Sequence, residues 1–560
     1  MILRTASRFD PRRGPRRGYV LIAVLLVVVV LSLVAYRFND SMSGEYRAAA
    51  RSADLVRVKA AAVSGIHYVA ALISDPLTVN GELGGNIFDN PAFTDVVVWA
   101  DPANPRRQAK FSVVSVALTG PGSYERRAGV IDEGGKLNIN ALIAQDKTGV
   151  ALYNALLKIP NMTEEVAANI VDWVDADETP GSAANGAAVG AENEHYSSLA
   201  NPYRCKNGPL NTLDELLLVK GVTPQLLYGS DQNQNGVADP GEGGTLDRGW
   251  SDYLTVYGRE ISLDSTGQLK IWINGEDPAA IYAAMKSAGL PEEVAAYIMA
   301  VKLFGSVRID PNGNPISPVP GGGKGGGGKG GGKGPPAGKG GGGGQQVRVG
   351  SLDELIEAVE TRLANYTSSG RAINSLVDLI NTRVNLPRSA TGGSGKGGGT
   401  ITVYNSPLND PSQLAEYLPV MLDKLATKEA VELIPRLNVN TAPREVLEGV
   451  FAAAGLTPED VDAVVAAREG LPTGDLASTT AAWLVTAAGL SPAKFRAVER
   501  YVTGSSMVYR VQVIGYLEGG GPVARVEAVI DTNLGAPRIL YYRDLSDLDS
   551  PRGFEPVQTP

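Results

Sequence analysis

Cysteine is almost missing from this 560-residue chain, and the single thiol, Cys205, excludes a disulfide framework and any thiolate metal cluster. Histidine is nearly as scarce: His67 and His195 are too far apart in sequence to suggest a His-rich zinc or copper site. No H-E-x-x-H, G-x-S-x-G or thiol motif is present, so nothing marks a hydrolase or transferase. An excess of positive charge is missing too, and a formal net charge of −9 disfavours a partner held by backbone phosphates. What is present suffices for folded cores: 43% of residues are hydrophobic. At about 100 to 200 residues per domain, the length predicts three or four domains.

The charge is unevenly placed. Residues 1–18 carry six arginines against one aspartate, and Tyr19 to Tyr36 follow without a single charge. Eighteen helical residues rise about 27 Å, enough to cross a bilayer core. The arginines predict a cytoplasmic N-terminus, which places the bulk of the chain across the membrane. The run passes into Arg37 without a small-residue cleavage site of secretory type, leaving two readings. One is an uncleaved signal anchor. The other is a leader that resembles those of type IV prepilins, in which Arg16, Arg17 and Gly18 precede the cut and Tyr19 becomes the new N-terminus. The fifth mature residue is then Ala23, where such proteins usually carry glutamate. A buried carboxylate costs several kcal/mol unless paired, so its absence suits a subunit at a filament end.

Beyond the apolar run, Leu55, Val58, Ala62, Ile66, Val69 and Ile73 recur at steps of three and four, a helical stripe that needs a cover and that we also expect to receive partner subunits. His67 beside it reads as a packing or boundary residue. Phe93–Asp101, Ala109–Thr119 and Arg127–Asn140 are rich in β formers, and Met507–Thr532 reads as a hairpin turning at Glu518–Pro522. Alternation through Val508, Arg510 and Gln512, and through Val523, Arg525 and Glu527, predicts one wet face. With no neighbour in sequence, this hairpin is expected to rejoin the sheet begun at Phe93.

Between these strands one pattern occurs three times, as KLNINALIAQ from Lys136, KIWINGEDPA from Lys270 and RLNVNTAPRE from Arg436. Each precedes two helical segments and a further short helical patch, namely Leu210–Val222, Ser351–Glu360 and Leu476–Leu490. The expected class is α+β: a transmembrane pilin-type helix packed on an antiparallel sheet, with a large, mostly α-helical insertion of repeated αα modules of SAM or helix-hairpin-helix type. The expected divisions are a leader (1–18), the transmembrane part of the helix (19–44), the first part of the pilin-like domain (45–135), module 1 (136–260), module 2 in two parts (261–320 and 347–390), linkers at 321–346 and 391–400, module 3 (401–504), and the C-terminal strands and tail (505–560). Both linkers are glycine-rich. GSGKGG around Lys396 lacks the Ser or Thr of a phosphate loop. Paired helices after LNVNTA leave a second reading, a membrane-anchored helix-hairpin-helix DNA-binding protein of competence or type IV pilus type. Its hairpins IPNM, SAGL and AAGL lack the double glycine that cradles phosphate, and nucleic acid is not favoured.

One loop carries metal-ligand spacing. DQNQNGVADPGE fits D-x-N-x-N-G-x-x-D-x-x-E, offering oxygens from Asp231, Asn233, Asn235, Asp239 and Glu242, the Val237 carbonyl, and Gly236 at the sharp turn. Hard donors on such a loop suit calcium, and a solvated Asn/Gly turn is the alternative.

Taken together, RRGYVLIAVLL with Ala23, IPNMTEEVAANIVDWVDADETP (159–180), NEHYSSLANPYR (193–204), PLNTLDELLLVKGVTPQLLY (209–228), LNVNTAP (437–443) and the final hairpin resemble the K-type minor pseudopilin of the type II secretion system, general secretion pathway protein K. The resemblance implies a non-enzymatic subunit capping a pseudopilus with the I and J minor pseudopilins, and so supporting protein secretion across the outer membrane. It also implies cutting by prepilin peptidase, N-methylation of Tyr19, contacts with membrane lipid and an inner-membrane secretion platform, and a single-pass inner-membrane location with a periplasmic bulk. Similar proteins bind calcium in the inserted domain, which points to Asp175, Asp177 and Glu194 here. Asp172, Glu178 and Glu192 lie among them, and Trp173 reads as core. The stretch from about Asp264 to Gly399 exceeds the family pattern.

Overall fold

The computed structural model describes residues 17–120, 123–181, 189–231, 233–236, 246–310, 313–316, 347–365, 370–387, 401–472 and 474–548. The expected leader up to Arg16, both glycine linkers with Lys396, and Val237, Asp239 and Glu242 lie outside the described residues.

One helix, α1 (Arg17–Ile73), contains both the apolar run and the amphipathic stripe. Its two halves have different surroundings. From Tyr19 to Tyr46 the large apolar side chains are exposed, and the run has a mean hydropathy of 3.0, long and apolar enough to cross a membrane. From Val58 to Ile73 the stripe is buried, with Val58, Ala62, Ile66 and Val69 at 0–1% exposure. Leu55 lies beyond the cover and stays exposed, as does His67. The cover is the protein's own sheet, which corrects the expectation that partner subunits occupy this stripe: its apolar surface is already removed from water inside the subunit.

Among the described residues that sheet has seven strands: β1 (Val96–Asp101), β2 (Asn104–Gly120), β3 (Ser123–Arg127), β4 (Ile131–Asp132), β5 (Val508–Leu517), β6 (Ala524–Asp531) and β7 (Arg538–Asp544). The order is β1-β2-β5-β6-β7, with β3 beside β2 and β4 beside β5, and every pairing is antiparallel. The C-terminal hairpin rejoins the first strands, Val513 opposite Val113. Two glycines set the depth of the helix on the sheet. A Cβ on Gly515 would lie 2.1 Å from the Val58 carbonyl oxygen, and one on Gly65 would lie 2.5 Å from Val513 Cγ1.

The opposite face of the hairpin is polar as its alternation predicts, yet it is not wet. Arg525, Glu527 and Gln512 are buried at 0%, 6% and 8% exposure. The first inserted module covers them, and their charges are matched inside the joint. Arg510 reaches Glu133 and Glu527, both at 2.7 Å, and Thr255 donates to Glu133 at 2.6 Å. Neighbouring Asp132 accepts from Asn438 at 2.7 Å, so one acidic pair ties the sheet to the first and third modules.

Three helical pairs fill the insertion: Val150–Leu156 with Glu164–Val174, Pro278–Ser287 with Glu292–Phe304, and Arg444–Ala453 with Pro458–Arg468. The second repeat differs from its expected outline in two ways. Helix Leu352–Leu363 is an addition packed on Glu292–Phe304, and the counterpart of the Leu213–Leu218 turn is Leu376–Leu379 within INSLVDL. Strand Ile401–Asn405 and helix Pro411–Lys424 belong with the second repeat, because that strand pairs with Thr382–Asn385 and Val347–Val349.

Candidate metal centre

The strongest cluster of ligand-type side chains grows from the end of one helix. Thr163 caps Glu164–Val174 by accepting from the Val166 amide, and Glu164 and Glu165 favour the positive first turn. The helix buries Val166, Ile170 and Trp173 in the core, with Trp173 packed edge-on against Tyr196 at 5.0 Å and Tyr203 at 6.1 Å. That packing delivers Asp172 and the C-terminal Asp175 to an enclosed corner. Asp172, 1% exposed, accepts from the Gly181 amide at 3.0 Å and so fixes the start of the following loop.

In this corner Asp175, Asp177 and Glu192 each place one carboxylate oxygen within 4.8 Å of the others. Asp175 is 9% and Glu192 5% exposed, whereas Asp177 is exposed. Both Glu192 oxygens and Asp175 Oδ1 accept no hydrogen bond among the described residues. Burial, reinforced by neighbouring carboxylates, pushes Glu192 up to about 7 and Asp175 to about 6; Asp172 rises to about 6, again chiefly by burial. Mutually repelling carboxylates, two of them buried and with three oxygens that accept no hydrogen bond among the described residues, are an arrangement that a hard divalent cation stabilises, and an all-oxygen donor set suits calcium.

The expected third ligand was Glu194. It is exposed in the first turn of helix Asn193–Ser197, while Glu192, which caps that helix in an extended conformation, completes the cluster. Both glutamates stand in the acidic stretch of the sequence, and only the helix start decides which one turns inward.

The loop beginning at Asp231 is built differently. Asp231, 1% exposed, accepts from the amides of Asn235 at 2.9 Å and Gly236 at 3.0 Å, and Asn233 Oδ1 accepts from Asn235 at 3.0 Å. Gly236 has φ +69 and makes the sharp turn against Val116. Guanidinium groups surround this half-loop. Arg248 Nε lies 3.5 Å from Asp231, and Arg525 donates to the carbonyls of Gln234 at 2.6 Å and of Asn233, with Gln512 also donating to Gln234 at 3.2 Å. In this described half of the loop arginine stands beside the carboxylate, Arg248 being shared with Asp252 at 2.9 Å, while Asp239 and Glu242 lie outside the described residues. Gly18 and Tyr19, between which the leader cut is expected, lie at the start of α1, and Tyr19 and Ala23 are exposed there.

An apolar rod roofed by its own sheet and carrying a helical head is the architecture of a pilin-like subunit. Two models of the family described as type II secretion system (T2SS), protein K match this chain, over residues 135–228 and 437–498. No curated protein matches the chain. Among solved structures, the GspK-GspI-GspJ complex from the enterotoxigenic Escherichia coli type 2 secretion system aligns over 90% of this chain and 99% of the matched chain, at 9% identity and a TM-score of 0.32.

Proposed function

We propose that this minor pseudopilin starts and caps the periplasmic pseudopilus, assembling with the I- and J-type minor pseudopilins as a non-enzymatic subunit supporting export across the outer membrane. The observation that carries the reading is the division of α1. Its amphipathic half is saturated by the subunit's own sheet, so only the bare half from Tyr19 to about Arg57 is left to anchor in the inner membrane and then pack among neighbouring helices. With Ala23 at the fifth position after Gly18, the rod has no carboxylate to offer a preceding subunit's amine. The helical modules on the far side of the sheet add a head too broad for another subunit to stack above.

In this reading the first eighteen residues stay cytoplasmic until prepilin peptidase cuts after Gly18, and the amine of Tyr19 is methylated. The inner-membrane secretion platform then draws the rod out of the lipid. Calcium binds at Asp175, Asp177 and Glu192, where it draws together the end of one helix and the start of another without a disulfide.

Immunogold labelling of sheared fibres tests the placement. We expect one label at one end of each fibre, whereas labels repeating along the shaft would overturn the cap. N-terminal sequencing of the membrane-extracted protein should begin at Tyr19, and a retained arginine segment would overturn the leader.

A further inference from the structure

The three inserted repeats share more than a sequence pattern. Each opens with a two-residue strand, Leu137–Asn138, Ile271–Trp272 or Leu437–Asn438, and closes when that strand pairs in parallel with Leu254–Thr255, Leu425–Ala426 or Val502–Thr503. A basic side chain directly before each opening strand reaches a carbonyl three residues before the closing one. Lys136 donates to Ser251 at 2.8 Å, Lys270 to Leu422 at 2.6 Å, and Arg436 to Glu499 at 3.4 Å.

Four residues after each basic side chain stands an asparagine whose amide joins two distant points of its own repeat. Asn140 donates to Leu210 at 2.9 Å and Val256 at 3.4 Å. Asn274 donates to Ile373 at 2.9 Å and Thr427 at 2.8 Å. Asn440 donates to Ser478 and Gly504, both at 2.6 Å. The turn between each helical pair holds one left-handed residue, Asn161, Gly289 or Gly455, with φ of 60, 79 and 76. These correspondences define the middle repeat as residues 270–427, a span that neither family match reaches.

We infer that Lys136 with Asn140, Lys270 with Asn274, and Arg436 with Asn440 are repeat-specific clamps, and that 270–427 is a complete third copy that opens and closes as its own unit. Every asparagine bond stays within one repeat, so loss of that asparagine loosens its own repeat first, whereas Lys136 also faces Glu133 at 3.6 Å and Arg436 also pairs with Glu260, both outside their repeats. The middle copy enters and leaves the body at one place: Glu260 and Ile261 pair antiparallel with Leu433 and Glu432, and Arg259 bridges to Glu432 at 3.0 Å. Its polar links to the third repeat include Ser375 to Glu499 at 2.6 Å and Arg496 to Asp378 at 2.7 Å.

Native-state hydrogen exchange on the full-length protein, read peptide by peptide, tests the clamps. Asn274→Ala should speed exchange about tenfold or more in helices 278–287 and 292–304 and in strand 382–385, leaving 150–174, 444–468 and β5–β6 unchanged. Asn140→Ala should give the reciprocal pattern. Equal acceleration in all three repeats, acceleration of β5–β6, or no change in the targeted repeat would each overturn the inference. A second measurement is independent of these side chains. Excising 262–431 and joining Ile261 to Glu432 through Asn-Gly should leave exchange in β5–β6 and in 150–174 within about threefold of the parent, and loss of that protection would equally overturn it.

Discussion

Two acidic regions of the first module meet the same problem, buried carboxylates, in opposite ways. The loop at Asp231 has the more recognisable spacing, yet its described half is satisfied from within. Backbone amides cap Asp231, Arg248 stands beside it, and Arg525 and Gln512 hold the carbonyls of Asn233 and Gln234. The corner formed by Asp175, Asp177 and Glu192 has a weaker motif and no cation among the described residues near enough to pair with it. Ligand-like spacing therefore says less about ion demand than whether the protein has already neutralised the oxygens.

The largest expected effect breaks the comparison on the loop side. Arg525 is fully buried and its guanidinium serves two carbonyls. Arg525→Ala would remove both hydrogen bonds, leaving Gln512 as the sheet's donor to the Gln234 carbonyl, and open the joint between loop and sheet, at a cost of about 2 to 5 kcal/mol. Urea unfolding checks this. A loss below about 0.5 kcal/mol would mean that the loop rests on the sheet without being held by it.

The next effect belongs to the corner. Calcium at about 100 times its dissociation constant should stabilise the protein by about 2.7 kcal/mol, and Glu192→Gln should abolish most of that gain. In chelator the same variant should melt no lower than the parent, because it removes a buried charge facing like charges. Thermal melts with calcium and with chelator separate the two outcomes. A calcium response that survives in Glu192→Gln would move the ion elsewhere, and Asp231→Asn would then be the variant to examine.

Acidity sharpens the contrast further. The corner carboxylates sit at about 6 (Asp172, Asp175) and 7 (Glu192), above their ordinary range near 4, so the folded protein without metal holds extra protons between these limits. Their contribution is complete below pH about 4 and is lost as pH rises through 6 to 7, so in chelator the melting temperature should climb between pH 8 and 5. Saturating calcium should flatten or reverse the climb, because it favours the ionised forms. Glu133 does not blur this window, since the charges of Arg510 and Lys136 outweigh its burial and hold it near 2. An identical pH profile with and without calcium would count against the corner as the site.

Much of this architecture was legible from residue order. An uncharged run of eighteen residues, a stripe at steps of three and four, and a hairpin with no local partner were enough to forecast a rod under a split sheet, because burial and backbone pairing leave few alternatives. Other features left little local trace. The closing strands are two residues long, too short for a period, so the outline of the middle repeat and its true INSLVDL segment emerged only from pairing and from Asn274. Alternation through Arg510, Arg525 and Glu527 correctly marked a polar face, but whether water or another module covers such a face is settled by tertiary contacts. In the acidic stretch, residue types alone could not choose between Glu192 and Glu194.

That last choice supplies the smallest expected effect. A residue capping a helix is extended, and the first residues beyond it rotate by about 100° each. Glu192, in the cap position, is therefore turned into the corner with its oxygens unpartnered, and Glu194, two residues on, is carried to the outer surface. Glu194→Gln should shift stability by less than about 0.5 kcal/mol and leave the calcium-induced rise in melting temperature intact, while Glu192→Gln removes it. If the two variants lose the calcium response equally, the helix must begin later in the metal-bound protein, and the ligand set would extend around the cap to both glutamates.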